Sequence, residues 1–279
     1  MDEWLSDFLM RSPMFEPLRP LGAGLRSPQW PTLDDLQRLA DARESRVLTR
    51  NGAPVRFVGQ AGKAAGFEDK YEARIYLKGE VQIRAASWHD LFNALVWLTF
   101  PRAKAALNER HYLALRQQYA KGQPDRGPVQ DVLTLFDEGG VIVAASDGEL
   151  LQELREFRWK DLFWRHRARA ESAMRCYLFG HALYEKALQP FTGMTGRGLL
   201  FQVGSEFLAQ PLASQLNKMD VMLEQRLLDT GTLKSTRELA PLPILGVPGW
   251  CADNECERYY DNAGYFRPGR AAVLGPLIK

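Results

Sequence analysis

The sequence predicts an α+β fold, in which two β-hairpins form a small antiparallel sheet packed against several amphipathic helices. Two runs of strand-forming residues are each interrupted by a glycine-containing turn, at residues 78–79 and 137–140. Between these runs, apolar residues recur at helical spacing over residues 91–100. A chain of 279 residues with 46% hydrophobic and 25% charged residues is typical of a folded protein that buries a sizeable core.

The first part of the chain is expected to hold an irregular arm, one helix, one strand and the first hairpin. Residues 1–31 are rich in proline and aromatic residues, which predicts an ordered but irregular arm packed against the rest of the protein. A short helix is expected over residues 34–44 and a strand over residues 55–58. Residues 71–77 alternate apolar and polar side chains, and residues 81–84 resume this alternation after the turn, which predicts the first hairpin.

Two helices and the second hairpin are expected next. Ser87 is predicted to cap a helix that Pro101 breaks or restarts, after which helix continues to residue 119. Residues 132–136 and 141–145 are predicted to pair across a turn. Because these two strands are almost entirely apolar, the second hairpin is expected to be more deeply buried than the first.

The rest of the chain is expected to be mostly helical and then irregular. Asp147 is predicted to cap one helix, and residues 159–188 and 205–228 are predicted to form two longer ones. Prolines and glycines predict an irregular C-terminal segment over residues 241–279. Since there is no flexible linker and no internal repeat, residues 1–279 are expected to form a single globular domain.

Charge, cysteine content and the start of the chain predict a cytoplasmic protein that is not in the membrane. The 36 basic and 34 acidic side chains leave a net charge of +2, which argues against a protein that coats nucleic acid without specificity. Three cysteines are too few for a disulfide framework, and an odd number suits a reducing compartment. The start lacks the features of a signal peptide, and no run of about 18 apolar residues predicts a membrane span.

The most specific stretch of the sequence is WHDLFNALVWLTFPRAK at residues 88–104, which Leu107, Asn108 and His111 extend. Further distinctive segments lie at residues 133–138, 179–183, 245–250, 259–262 and 266–268. Together, these segments resemble the bacterial family known as domain of unknown function 3025. The resemblance covers most of the chain and implies a bacterial cytoplasmic protein of one domain, but it implies no activity and no catalytic residue.

His89 and Asn93 form the first candidate site, because a spacing of four residues places them on one helix face. With His111 on the next helix, they provide the imidazole and amide groups of a metal-assisted nuclease. His89, His111 and Asp90 are accordingly the possible ligands of a divalent metal, the one cofactor that the sequence suggests. Alternatively, His89 and Asp90 interact with the free amides at the helix start, and Asn93 bonds to neighbouring backbone.

His181 and Glu185 form the second candidate site, four residues apart on a predicted helix. A carboxylate that reaches an imidazole fixes its tautomer and raises its basicity, as a catalytic base or a metal ligand requires. Asp137, which follows a predicted buried strand, is a further candidate general base or metal ligand. The alternatives are a hydrogen bond between core helices for His181 and stabilisation of the hairpin turn for Asp137.

An anionic small molecule is the expected substrate, held by Arg102, Lys104 or Arg197, with Trp88 as a further binding residue. Residues 193–198 contain three glycines, whose backbone amides can cradle an anion beside Arg197. The segment lacks the lysine and Ser/Thr pair of a P-loop. An ordinary turn between helices is therefore the alternative.

Two functions from different classes follow from these candidates. In the first, the protein is a phosphoester hydrolase that acts with or without a bound metal, with His181, Glu185, His89, Asn93 and Asp137 in one polar cleft. In the second, it is a non-catalytic module that binds RNA or a protein partner through a basic and aromatic segment. That segment comprises Arg155, Arg158, Trp159, Lys160, Trp164, Arg165, His166, Arg167 and Arg169. Acidic residues interleave with it, which is also typical of a salt-bridged solvated face.

Overall fold

The computed structural model of the chain describes residues 3–60, 62, 66–122 and 127–269. The α-helices in this part of the chain are α1 (Leu33–Asp41), α2 (Tyr71–Lys78), α3 (Trp88–Thr99), α4 (Pro101–Ala120), α5 (Pro128–Gly139), α6 (Gly148–Arg155), α7 (Arg167–Ala173), α8 (His181–Ala187), α9 (Ser205–Leu208) and α10 (Leu212–Leu228). The strands are β1 (Arg56–Gly59), β2 (Glu80–Ile83), β3 (Gly140–Ala145), β4 (Met174–Leu178), β5 (Thr195–Gln202) and β6 (Ala240–Pro243). None of the helices in the described residues is long and apolar enough to cross a bilayer.

Four strands form one mixed sheet in the order β4-β3-β5-β6, and the fold class α+β is thereby confirmed. Within this sheet β3 runs parallel to β5, with Val141 opposite Gly198, and antiparallel to β4, with Val141 opposite Leu178. Every residue of β3 is buried, which explains why its sequence is continuously apolar. The strands β1 and β2 form a separate parallel pair. This layout differs from the two predicted hairpins.

The first predicted hairpin is wrong because residues 71–77 belong to helix α2. Strand β2 pairs with β1 instead, with Phe57 opposite Val81, and α2 lies in the crossover between these parallel strands. Over so short a segment, alternation of apolar and polar residues does not exclude a helix. Gly79 ends α2 with a φ of 72°, and a Cβ there would lie 2.1 Å from the carbonyl oxygen of Pro54. The glycine predicted for a hairpin turn therefore terminates a helix.

The second predicted hairpin is also wrong, because residues 132–136 belong to helix α5. Pro128 occupies the first turn of α5, a position that suits proline. Only the second half of the predicted hairpin is a strand, β3, and its neighbours β4 and β5 come from later in the chain. A short apolar run fits a buried helix as well as a buried strand, so this pattern alone does not distinguish the two.

Two further predictions of secondary structure are wrong. Strand β4 interrupts the long helix predicted over residues 159–188, and β5 begins inside the predicted glycine-rich turn at residues 193–198.

The predicted helix caps are confirmed. The side chain of Ser87 accepts a hydrogen bond from the backbone N–H of Asp90 (3.4 Å), and that of Asp147 accepts one from Glu149 (3.0 Å).

The N-terminal arm packs on the start of α3. Its aromatic rings include Trp4 and Phe8, whose centroids lie 5.0 and 5.2 Å from the ring of Trp88. Much of the arm is 3₁₀-helical, at Phe8–Met10 and Pro13–Leu25. The C-terminal segment, predicted to be irregular, contains most of β6 and then short 3₁₀ segments up to residue 261, while residues 270–279 lie outside the described part of the chain.

The antiparallel pairing of β3 and β4 positions the candidate site. Asp137 lies in the last turn of α5, just before β3, and His181 begins α8, just after β4. Because these strands run in opposite directions, the end of α5 and the start of α8 meet at one end of the sheet. Gly180 permits this approach, since a Cβ there would lie 2.4 Å from the carbonyl oxygen of Glu138.

Candidate active site

Three helices bring two histidines and two carboxylates together at this end of the sheet. The Nε2 atom of His181 on α8 lies 3.1 Å from the Nε2 atom of His89 on α3. The Nδ1 atom of His89 lies 3.1 Å from Oε2 of Glu185, and the Nδ1 atom of His181 lies 3.8 Å from Oδ2 of Asp137. These four residues, the histidine cluster, form a continuous series of polar contacts from Glu185 to Asp137.

Lys104 on α4 extends the histidine cluster into the protein interior. Its Nζ atom lies 2.5 Å from Oδ1 of Asp137 and donates a second hydrogen bond to Oδ1 of Asn93 at 2.9 Å. The amide of Asn93 in turn donates to the hydroxyl of Tyr71 at 2.7 Å. The ammonium group is thus held between two side chains of the interior and is not free to bind a substrate.

Burial and neighbouring charges set the protonation of His181 and Asp137. Burial lowers the pKa of His181 to about 4, with Asp137 opposing this shift and the positive charge of Lys104 adding to it. The imidazole is therefore neutral at pH 7. Burial alone would raise the pKa of Asp137, but Lys104 and His181 hold it below its ordinary value. A neutral imidazole thus lies beside an ionised carboxylate.

The histidine cluster opens to solvent at one end only. The side chains of Glu185 and His89 are 42% and 35% exposed, whereas that of His181 is 8% exposed. The side chain of Lys104 is 4% exposed, so the inner end of the network is shielded by protein. A solute therefore approaches the imidazoles from the side of His89 and Glu185.

All five predicted catalytic residues lie in this one network. His89, His181, Glu185 and Asp137 form the histidine cluster, and Asn93 joins it through Lys104. Glu185 was predicted to contact His181 on the same helix, and the structure pairs these two residues differently. Glu185 reaches across to His89 on α3, and the imidazole of His181 faces Asp137 of α5 instead.

The predicted metal ligands His89, His111 and Asp90 are not assembled into one site. Asp90 forms an ion pair with Arg84 (Oδ1 to Nη2, 2.8 Å) and also accepts a hydrogen bond from the backbone N–H of that residue. His111 is buried on α4, close enough to Asp137 for their charges to interact. Among the described residues, no three His, Cys, Asp or Glu side chains are placed to hold a metal ion together.

Of the four predicted substrate-binding residues, Trp88 and Lys104 are occupied by the protein itself. Trp88 is 4% exposed, stacks on Trp4 and donates its indole N–H to the carbonyl oxygen of Glu3. Lys104 binds Asp137 and Asn93, as described above. The side chain of Arg197, near the start of β5, has no ion pair within the described residues, and β5 begins at the end of the sheet where Gly140 pairs with it.

Arg102 lies away from the histidine cluster, in a cleft of about 1080 Å³ that α4 shares with α1 and α10. Sequence reasoning missed this cleft and the buried acid within it, Asp220, which accepts hydrogen bonds from the backbone N–H groups of Arg102 and Ala103. An acid among the apolar positions Leu216, Met219 and Leu223 of a helix is the signal that indicates such a buried role. Tyr71 was missed because its segment was predicted to be a strand.

The cations of the basic segment, residues 155–169, are largely bound by acidic side chains. Arg158 and Arg165 both pair with Asp161, and Arg169 pairs with Asp147. Trp159 is buried and donates its indole N–H to the carbonyl oxygen of Arg267. These contacts are those of a salt-bridged face packed on the C-terminal segment.

Comparison with known proteins identifies a family and no activity. Residues 55–270 match the family described as protein of unknown function (DUF3025). No curated protein and no solved structure matches the chain. The match spans well over half of the 279 residues and includes α2 to α8, which carry the whole histidine cluster. The chain therefore belongs to the DUF3025 family.

Proposed function

We propose that this protein is a hydrolase of the phosphoester type, in which His89 and His181 activate water. The observation that carries the proposal is the convergence of two imidazole Nε2 atoms at 3.1 Å, with a carboxylate facing the other nitrogen of each ring. An imidazole oriented by a carboxylate is the arrangement that general acid–base catalysis uses. Here two such groups face one point near the surface.

In the proposed reaction, water binds beside the two Nε2 atoms and gives a proton to one of them. The resulting hydroxide forms a bond to phosphorus, the ester P–O bond breaks, and the leaving oxygen takes the proton back from the imidazolium. Asp137 and Glu185 hold the ring protons on the Nδ1 atoms, which leaves the Nε2 lone pairs free. Lys104 balances the charge of Asp137 in the interior.

Arg197 is the cation that we assign to the substrate phosphoryl group. Arg197 is the third residue of β5 and lies opposite Gly140, which follows Asp137 by three residues. No acidic side chain of the described residues forms an ion pair with Arg197. A guanidinium group suits a phosphoryl group because its N–H donors match two oxygens at once. Arg102 lines a different cleft, so it has no role in this proposal.

The proposal is tested with the full chain on bis(p-nitrophenyl) phosphate and p-nitrophenyl phosphate. The wild type is expected to release nitrophenol from at least one of them, and His89→Ala and His181→Ala are expected to lower kcat by 10²- to 10⁴-fold, the usual contribution of general acid–base groups. His166→Ala is the matched control, since His166 also contacts a carboxylate. Retention of activity by a folded His181→Ala variant would refute the proposal, as would absence of wild-type activity on both esters.

No described contact favours the alternative of an RNA- or protein-binding module, because the cations of the basic segment already have acidic partners. A cytoplasmic location and a bacterial origin belong to the same proposal. They rest on the cysteine content and on the resemblance given above.

A further inference from the structure

The positions of the ring protons on the two histidines leave no hydrogen-bond donor between their Nε2 atoms. The carboxylate of Glu185 only accepts hydrogen bonds, so Nδ1 of His89 carries the proton in their 3.1 Å contact. The Nδ1 atom of His181 is buried, has no hydrogen-bond partner and faces Oδ2 of Asp137 at 3.8 Å. A lone pair there would face an ionised carboxylate, so the ring proton of His181 also belongs on Nδ1.

Both Nε2 atoms consequently present lone pairs to each other. A neutral imidazole has one N–H, and in both rings it is used on the Nδ1 side. The two Nε2 atoms lie 3.1 Å apart. Two acceptors at this distance repel each other unless a cation lies beside both of them.

The two rings meet edge to face, with their planes at 80° and their centroids 4.5 Å apart. The Nε2 atoms, 3.1 Å apart, are within reach of each other through a shared proton and also through one bound metal ion. The charges around the pair distinguish these two arrangements.

We propose that Nε2 of His89 and Nε2 of His181 bind one divalent transition-metal ion of the zinc class. Two nitrogens at 2.0–2.1 Å from one tetrahedral or octahedral ion are separated by about 2.9–3.4 Å, which includes the observed distance. Imidazole nitrogen is a preferred ligand of Zn²⁺ and of its neighbours in the transition series. The remaining positions are filled by water and substrate oxygens, since no third protein ligand is in place among the described residues.

Charge and hydrogen bonding around the pair favour a cation. The carboxylates of Asp137 and Glu185 contact the two rings, and the ammonium of Lys104 contacts Asp137, so these three groups together carry a net charge of −1. Carboxylates on the far nitrogen of each imidazole are the usual outer partners of metal-bound histidines. The exposed side of His89 and Glu185 leaves room for water.

This inference rests on the site of the proposed function and deepens it. With the metal bound, His89 and His181 would hold the ion through their Nε2 atoms, and the ion would lower the pKa of the attacking water in place of the proton transfer to imidazole described above. Metal binding is nevertheless measurable in a protein that hydrolyses neither ester. Failure of the inference and failure of the proposed function are therefore distinguishable.

The test is a Co²⁺ titration of the full, untagged and chelator-treated chain, followed by absorption in the visible range and by calorimetry. One equivalent is expected to bind and to be displaced by Zn²⁺. His89→Ala and His181→Ala are expected to weaken binding at least tenfold, and Glu185→Gln by about tenfold, as an outer partner does. His166→Ala is expected to bind as the wild type does. Circular dichroism checks that each variant is folded.

Two results would overturn the inference. One is absence of stoichiometric Co²⁺ and Zn²⁺ binding by the wild type, and the other is binding that folded His89→Ala and His181→Ala variants retain. Should these variants not fold, ¹⁵N NMR of the wild-type histidine rings decides the matter. Zn²⁺ is expected to shift the Nε2 signals of two histidines, whereas unchanged signals with one Nε2 protonated would show that a shared proton occupies the site.

Discussion

Comparison of His166 and His181, two of the histidines that contact carboxylates, shows that a short distance does not by itself mark a functional site. Nδ1 of His166 lies 2.8 Å from Glu153, closer than His181 lies to Asp137 at 3.8 Å. The His166 pair continues into ion pairs of the protein surface, from Glu153 through Arg158 to Asp161. The His181 pair continues through a second imidazole on one side and a buried lysine on the other.

The same contrast separates the histidine cluster from the basic segment as a whole. In the basic segment, cations and acids alternate along the surface, and water screens each pair. In the histidine cluster, each carboxylate contacts a group from another helix, and the inner carboxylate, Asp137, is largely shielded from water. The histidine cluster therefore differs from the basic segment in its contacts between separate helices and not in its number of charged side chains.

The largest effect that tests this contrast is expected from Lys104→Met. The substitution leaves the buried carboxylate of Asp137 without its cation, and breaking a buried pair in this way costs about 3–5 kcal/mol of unfolding free energy. Chemical denaturation at pH 7 measures this loss. The double variant Lys104→Met/Asp137→Leu is expected to recover much of the stability, because it removes both charges. An unchanged denaturation midpoint for Lys104→Met would show that Asp137 is not held by this pair.

The elements with strong end signals were predictable from the sequence, whereas the strand pairing was not. Ser87, Asp147 and Pro101 mark helix starts through local chemistry that needs no partner. Residues 71–77 and 132–136 carry no such signal, and their short apolar patterns fit either structure. Which strands flank β3 depends on contacts with residues 29 or more positions away along the chain, which local patterns do not encode.

The candidate site was predictable in its members and not in its pairings. Spacing of four residues identified His89 with Asn93 and His181 with Glu185. The contacts that matter join different helices, and so no spacing within one helix encodes them. Lys104 was predicted to hold an anionic substrate, yet its neighbours Ala103, Ala105 and Ala106 are all buried, which is the pattern of an inward-facing turn.

The next effect concerns Asp220, a buried acid that lacks the cation that Asp137 has. Burial raises its pKa to about 6 from 3.8, even though two backbone N–H groups oppose the shift. Its folded pKa is the higher one, so the folded protein binds more protons between these values. The unfolding free energy therefore falls as pH rises from 3.8 to about 6, by up to about 3 kcal/mol.

Comparison of denaturation at pH 4, 5, 6 and 7 for the wild type and Asp220→Asn measures this slope. The variant is expected to lack it and to gain stability relative to the wild type above pH 6. Asp229→Asn, just beyond the end of the same helix, is the matched control and is expected to retain the wild-type slope. Parallel curves for the wild type and Asp220→Asn would contradict the assignment.

A smaller effect is expected from Gly180→Ala, which separates α5 from α8, two of the three helices that form the histidine cluster. The added Cβ would lie 2.4 Å from the carbonyl oxygen of Glu138 and 2.5 Å from the amide nitrogen of Gly140. Relief of such overlap costs about 1–3 kcal/mol and moves α8 away from α5. Gly66→Ala, where a Cβ would meet nothing within 4 Å, is expected to be nearly neutral. Equal denaturation midpoints for these two variants would contradict the close approach.

The smallest effect is expected from Lys160→Met in the basic segment, and it completes the comparison with Lys104→Met. Lys160 contacts Asp261 at 2.7 Å and Glu257 at 3.0 Å, whereas Lys104 forms one ion pair among the described residues, with Asp137. Water nevertheless solvates both acids once the ammonium is gone, because their side chains are 58% and 54% exposed. The denaturation midpoint should therefore stay close to that of the wild type, and 1 M NaCl should reduce what difference there is. A loss of stability equal to that of Lys104→Met would mean that burial does not distinguish these two regions. The physical basis for selecting the histidine cluster as the active site would then be lost.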